Sequence, residues 1–178
     1  MKHTNFEIVR AQAQDAAELL EYLKTIGGET DNLSFGPEGV PLGLEEEQAY
    51  LSMQAQSHDH MQLFAKVNGE IIGTASLNRK PNRMHHRAEF GISLKKAWWG
   101  CGAASALTER ILAFARESGV EQVNLEVRSD NRRAIALYER FGFRKLCTFP
   151  GFFKIKGELV DFDLMNLDLG PAAQSETI

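Results

Sequence analysis

Cysteine is scarce: Cys101 and Cys147 are the only two in 178 residues, and they show neither CxxC nor metal-ligand spacing. A disulfide framework is not expected in a chain of this size, and a reducing cytoplasm fits it best. Long apolar runs are missing too. No stretch approaches the ~20 residues that cross a bilayer. The opening MKHTNFEIVR lacks the apolar segment of a secretory signal, so no membrane association is expected. There is no excess of positive charge. A net charge of −4 gives no basis for binding nucleic acid or an acidic membrane. His58-Asp59-His60 and His85-His86 have no third ligand at a recognisable spacing, so no metal is expected. Repeats and low-complexity tracts are absent.

What remains is ordinary globular composition, 43% hydrophobic and 25% charged. One domain over residues 1–169 is expected, followed by a disordered tail, GPAAQSETI, over 170–178. Phe6 to Arg10 reads as a strand. Ala16, Leu19, Leu20, Leu23 and Ile26 give residues 15–26 a helical period. Residues 27–43, rich in Gly, Pro, Asn and acids, read as a long loop. A second helix begins near Leu44, with Glu45, Glu46 and Glu47 as a charge cluster in its first turn.

Residues 62–67 and 71–78 alternate around Asn68-Gly69, the signal of a type I′ hairpin. A strand over 87–94 places Ala88, Phe90, Ile92 and Leu94 on one face, and Glu89, Gly91 and Ser93 on the other. A glycine turn leads into a helix carrying Ala104, Leu107, Ile111, Phe114 and Ala115 on one side, ended by Gly119. Val123, Leu125 and Val127 mark the next strand. Ser129-Asp130-Asn131 offers N-capping chemistry for a short helix through Phe141, closed by Gly142. Two strands flank Lys156-Gly157. The order is β-α-α-β-β-β-α-β-α-β-β, a mixed sheet with helices on both faces.

The chemistry concentrates in AWWGCGAASAL, residues 97–107. Glycine permits positive φ and close backbone approach, and small residues leave a helix start uncovered. The unpaired N–H groups and dipole of such a start attract anions, so the stretch reads as a phosphate cradle. One reading is a dinucleotide fingerprint, with Gly100-x-Gly102 before a helix and Glu126 on the next strand. Against it, Ser105 stands where that motif wants a third small Gly or Ala, and a hairpin precedes the unit. An NAD-dependent oxidoreductase would follow from it.

The other reading uses more of the chain. Trp99-Gly100-Cys101-Gly102-Ala103-Ala104 stands at the turn, and Asn131, Ala134, Tyr138, Gly142 and Phe143 follow an N-x-x-A-x-x-x-Y-x-x-x-G-F pattern. Together, from Arg87 to Leu146, these resemble the GNAT superfamily of acyl-CoA N-acyltransferases. Trp99 occupies a place where that family more often has Arg or Gln. The resemblance implies a mostly antiparallel, splayed α/β sheet and acetyl-CoA as acyl donor. It implies that Trp99, Gly100, Gly102, Ala103 and Ala104 surround the pyrophosphate. Ile92 and Leu94 would offer backbone groups to the pantetheine arm, and Asn131 and Ala134 would lie along it.

The implied reaction is direct attack of an amine on the thioester in a ternary complex, with no acyl-enzyme and hence no use for Cys101. Three tasks then need groups: accepting the amine proton, stabilising the oxyanion and meeting the departing thiolate. Tyr138 is the implied acid, Glu89 the candidate base through water, and a backbone N–H near Ile92 the oxyanion donor. The acceptor is a small-molecule or protein amine, expected against residues 27–43, where Glu29, Asp31 and Glu38 would attract a cation and Phe35 form a wall. A homodimer through the last strands is expected by analogy alone. A CoA-binding sensor without turnover is the alternative in a different class.

Overall fold

The computed structural model describes residues 5–171, so the expectation for the tail falls almost entirely outside the described residues. Seven strands and four helices alternate in the expected order: β1 (Glu7–Arg10), α1 (Ala16–Glu29), α2 (Leu44–Ala55), β2 (His60–Val67), β3 (Glu70–Arg79), β4 (Arg87–Leu94), α3 (Ala103–Glu117), β5 (Gln122–Arg128), α4 (Arg132–Arg140), β6 (Arg144–Ile155) and β7 (Glu158–Asp168). The sheet order is β1-β2-β3-β4-β5-β7-β6. β4 and β5 run parallel, while β1 with β2, β5 with β7 and β6 with β7 are antiparallel.

The chain divides into two compact units. One comprises the residues up to Ser76 with Gly91–Ile111, the other Leu77–Phe90 with the chain from Leu112 onward. β3, β4 and α3 thus contribute residues to both.

In the first unit, the core gathers Leu19, Tyr22 and Ile26 of α1, Leu51 of α2, Phe64 of β2 and Ile71 of β3. Asn68 (φ 50°) and Gly69 (φ 83°) both take positive φ, as a type I′ turn between β2 and β3 requires. Helix α1 departs from expectation. It runs through Gly27-Gly28 to Glu29, so the loop shortens to residues 30–43. The glycines serve packing rather than termination. A Cβ on Gly27 would lie 1.9 Å from the Gly36 carbonyl oxygen and 2.5 Å from its carbon. The loop folds back onto the helix at that one bare position.

Gly27→Ala therefore sets two magnitudes against each other. Alanine gains about 1 kcal/mol of helix propensity. The clash is with backbone, which cannot rotate away, and overpacking of this kind costs about 1–3 kcal/mol or more. The variant is expected to be less stable, with thermal unfolding as the readout. An unchanged or raised Tm would show that the loop does not rest on the helix.

Glu47 stands in the first turn of α2 with Glu45 and Glu46 as expected, but its side chain is 3% exposed and turned inward beside the buried Leu51 and Gln54, and burial pushes its carboxyl pKa up.

In the second unit, Val123, Leu125 and Val127 of β5 and Met165 and Leu167 of β7 share one buried face, and Phe162, paired with Arg128, is buried on the other. Arg79 fastens the end of α3. Its Nη1 donates to the Ser118 carbonyl at 2.7 Å and its Nη2 to that of Gly119 at 3.1 Å. A cation there satisfies orphan carbonyls and complements the helix dipole. The buried stripe of α3 is Ala103, Leu107, Thr108, Ile111, Leu112 and Ala115, whereas Ala104 and Phe114 are only half-buried.

Candidate functional site

In the first unit, β4 ends at Leu94 and a single 3-10 turn, Lys96–Trp98, leads to the glycines. Three contacts hold this corner. The Tyr22 hydroxyl and Ser93 Oγ share a hydrogen bond at 3.0 Å. The Lys96 N–H donates to Glu29 Oε2 at 2.7 Å. The Trp99 indole N–H donates to the Leu94 carbonyl at 3.0 Å. Trp99 thus ties the turn to the strand it leaves, and Glu29 holds the same turn instead of standing free in the loop. Glu38 is engaged as well: its carboxylate accepts from the Gly36 N–H at 2.8 Å, which lowers its pKa. Phe35 packs on the core of this unit.

Gly100 (φ 83°) and Gly102 (φ 93°) both occupy the positive-φ region that favours glycine. A Cβ on Gly102 would meet nothing within 4 Å. The backbone here faces open space, and α3 begins at the next residue with its first N–H groups lacking intrahelical acceptors. Ala103 corrects one expectation. Its methyl is fully buried in the core, and Ala104 alone is partly open. Ile92 and Leu94 are half-buried, and Leu94 lies over Gly73, where a Cβ would come within 2.5 Å of it.

In the second unit, the β4–β5 ladder covers residues 87–89 against 122–124, and both strands continue beyond it. Tyr138 is the one buried residue of α4. Its ring packs edge-on against Phe90 and tilted against Phe143, with centroids 6.1 and 5.9 Å away. Burial pushes its phenol pKa well above the ordinary value. Its hydroxyl takes part in none of the side-chain hydrogen bonds among the described residues and is not one of their fully buried unpartnered atoms. Asn131 caps α4, its Oδ1 accepting from the Ala134 N–H at 3.2 Å.

Glu89 is half-exposed and ion-paired with Lys80. A second carboxylate stands with them. The Glu126 pKa is raised, first by burial and then by the charge of Glu89, with Lys80 opposing. In the sequence Glu126 stands out only through the dinucleotide reading. The signal for it was present but indirect: parallel pairing of Glu89 with Asn124 puts Glu126 two residues further along the same face of β5.

No group of three His, Cys, Asp or Glu able to hold a metal occurs among the described residues, and none of their helices is long and apolar enough to cross a membrane. Cys101 is half-buried and Cys147 exposed.

A family model described as acetyltransferase (GNAT) matches residues 29–143. The chain belongs to the acetyltransferase (GNAT) family. Its match runs from the Glu29 contact through the glycine turn to Phe143 beside Tyr138. Among curated GNAT relatives, the L-amino acid N-acetyltransferase AaaT of Escherichia coli is 33% identical over 103 residues, 56% of this chain and 63% of that protein. The chain thus spans somewhat under two thirds of that relative's length. A GNAT-family acetyltransferase from Streptococcus pneumoniae superposes with a TM-score of 0.89 at 30% identity, over 93% of this chain and all of that one. The yncA protein of Salmonella typhimurium, solved with its cofactor acetyl-CoA, shares the fold. Its TM-score is 0.82 at 21% identity, over 98% of this chain and 100% of that one.

Proposed function

We propose that residues 1–169 act as one acetyltransferase domain that moves an acetyl group from acetyl-CoA to a primary amine by direct attack. The observation that carries the reading is the open, positive-φ turn at Gly100 and Gly102 ahead of a helix start, inside a matched GNAT pattern. Its backbone suits a pyrophosphate, with Ala103 and Ala104 supplying helix-start N–H groups. The ladder of β4 with β5 ends at residue 89, and the backbone of Ile92 and Leu94 suits an amide-bearing arm, for which Asn131 and Ala134 are the further candidate contacts.

In this reading the amine nitrogen bonds to the thioester carbonyl carbon, the C–S bond breaks, and the sulfur leaves as thiolate. Glu89 takes the proton the nitrogen loses, through water. Glu126 beside it and Lys80 set the charge of that corner. A lysine-like amine is only about 0.1% neutral near pH 7.4, a cost of about 4 kcal/mol, whereas an α-amine costs under about 1 kcal/mol. A base therefore matters most for acceptors of the first kind. The Tyr138 hydroxyl donates to the departing sulfur.

The test is thiol release from acetyl-CoA across a panel of L-amino acids, polyamines and N-terminal peptides. At least one amine is expected to give turnover. Glu89→Gln should then lower kcat about 10²-fold, the usual worth of a general base, with the KM for acetyl-CoA unchanged. Acetyl-CoA binding without turnover on any amine would favour a sensor.

A further inference from the structure

Helix α4 carries Tyr138, yet its other eight residues are exposed or half-buried. The ring of Tyr138 anchors its C-terminal half against Phe90 and Phe143. Something else must fix how it enters. The chain reaches α4 from β5 through Ser129, Asp130 and the cap Asn131. Within this connection, Arg128 grips Asp130 at 2.7 and 3.0 Å, and the Asn131 N–H donates to the Arg128 carbonyl at 2.9 Å. These bonds are local and shape the turn without attaching it to anything.

Ser129 makes the attachment. Its N–H donates to the Asp161 carbonyl of β7 at 3.0 Å, and its Oγ donates to Asp163 Oδ1 at 2.7 Å. Asp163 is 4% exposed, in the middle of β7. The same oxygen accepts from Thr148 Oγ1 at 2.8 Å and Lys145 Nζ at 2.9 Å. Thr148 lies directly opposite Asp163 in the β6–β7 ladder, and Lys145 is also on β6. Two of the three donors therefore belong to the hairpin itself. Ser129 alone comes from outside it.

A buried carboxylate is a costly way to join two adjacent strands, since an apolar pair serves as well or better. It is a good way to hold a loop in one place, because charge-assisted hydrogen bonds are short and roughly twice as strong as neutral ones.

We propose that Asp163 is a positioning residue that, through Ser129, fixes the entry of α4 and so the placement of the Tyr138 hydroxyl. The inference rests on Tyr138 acting at the sulfur, but its placement is measurable without any reaction.

The chain holds three tyrosines, so a sample labelled with ¹³C at the tyrosine ζ carbon gives a Tyr138 signal that Tyr138→Phe identifies. Ser129→Ala and Thr148→Val each remove one hydroxyl from the same carboxylate oxygen. Ser129→Ala is expected to move the Tyr138 signal by more than its linewidth and to lower kcat about tenfold or more, as small misplacements do. The KM for acetyl-CoA should change less than kcat, because the turn at Gly102 is untouched and only Asn131 and Ala134 lie on the displaced connection. Thr148→Val should do neither, at a similar loss of Tm, and Ser129→Thr should restore the signal.

Equal shifts in Ser129→Ala and Thr148→Val, or none in Ser129→Ala, would overturn the positioning role. A moved signal with unchanged kcat would overturn the link to chemistry. If Tyr138→Phe itself left kcat unchanged, the assignment of Tyr138 would fall, and the positioning role with it.

Discussion

Tyr138→Phe is expected to lower kcat about 10²-fold, equivalent to ~2.7 kcal/mol of transition-state stabilisation, while acetyl-CoA binding and Tm stay close to those of the parent. The expectation comes from the hydroxyl's surroundings. The ring is buried between Phe90 and Phe143, and the Phe ring keeps that packing. Removing a buried hydroxyl costs stability chiefly when a partner is left unsatisfied, and none is present among the described residues. A large effect on kcat alone would therefore belong to the reaction.

Burial also defines the kind of help the phenol gives. With its pKa raised, it stays protonated across the neutral range. Complete proton transfer to a thiolate whose acid has a pKa near ~8.5 is uphill. The phenol acts as a hydrogen-bond donor to the leaving sulfur, and kcat should show no alkaline limb from Tyr138 below about pH 10. A fall in acetyl-CoA affinity that matched the fall in kcat would instead make Tyr138 a binding residue.

Gly102→Ala is expected to raise the acetyl-CoA Kd at least about tenfold, or ~1.4 kcal/mol. Two effects act together. Alanine at φ 93° is strained by about 1–2 kcal/mol. Its methyl also occupies the open space in front of the Gly102 backbone. Gly157→Ala separates them. Gly157, in the β6–β7 turn, has φ 86° and equally open surroundings. It should show the same strain as a loss of Tm, with the acetyl-CoA Kd unchanged. Equal Kd values for the two variants and the parent would remove the turn from the phosphate site.

Local chemistry made much of this legible in the sequence. Asn68-Gly69 and Lys156-Gly157 announce tight turns because the conformations they need are written in those residues alone. The alternation in β4 and β5 and the cap at Asn131 are equally local. The features that escaped depend on partners distant in the chain. Gly27-Gly28 reads as a helix end until Gly36 is found against it. Glu47 reads only as a first-turn charge until α2 is docked with that face inward. Glu29 and Glu38 read as free carboxylates until the Lys96 and Gly36 N–H groups are seen to occupy them. Ala103 reads as a bare helix start, yet its methyl belongs to the core. Glu126 gains significance only from the register of β5 against β4. Trp99, which departs from the family's usual Arg or Gln, makes sense once its indole N–H is seen on the Leu94 carbonyl.

The most direct measurement is a calorimetric titration of the full chain with acetyl-CoA, with NADH as control. Micromolar binding of acetyl-CoA, and none of NADH, is the predicted result. Folded protein that ignores acetyl-CoA would contradict the account of the 97–107 stretch and the activity built on it.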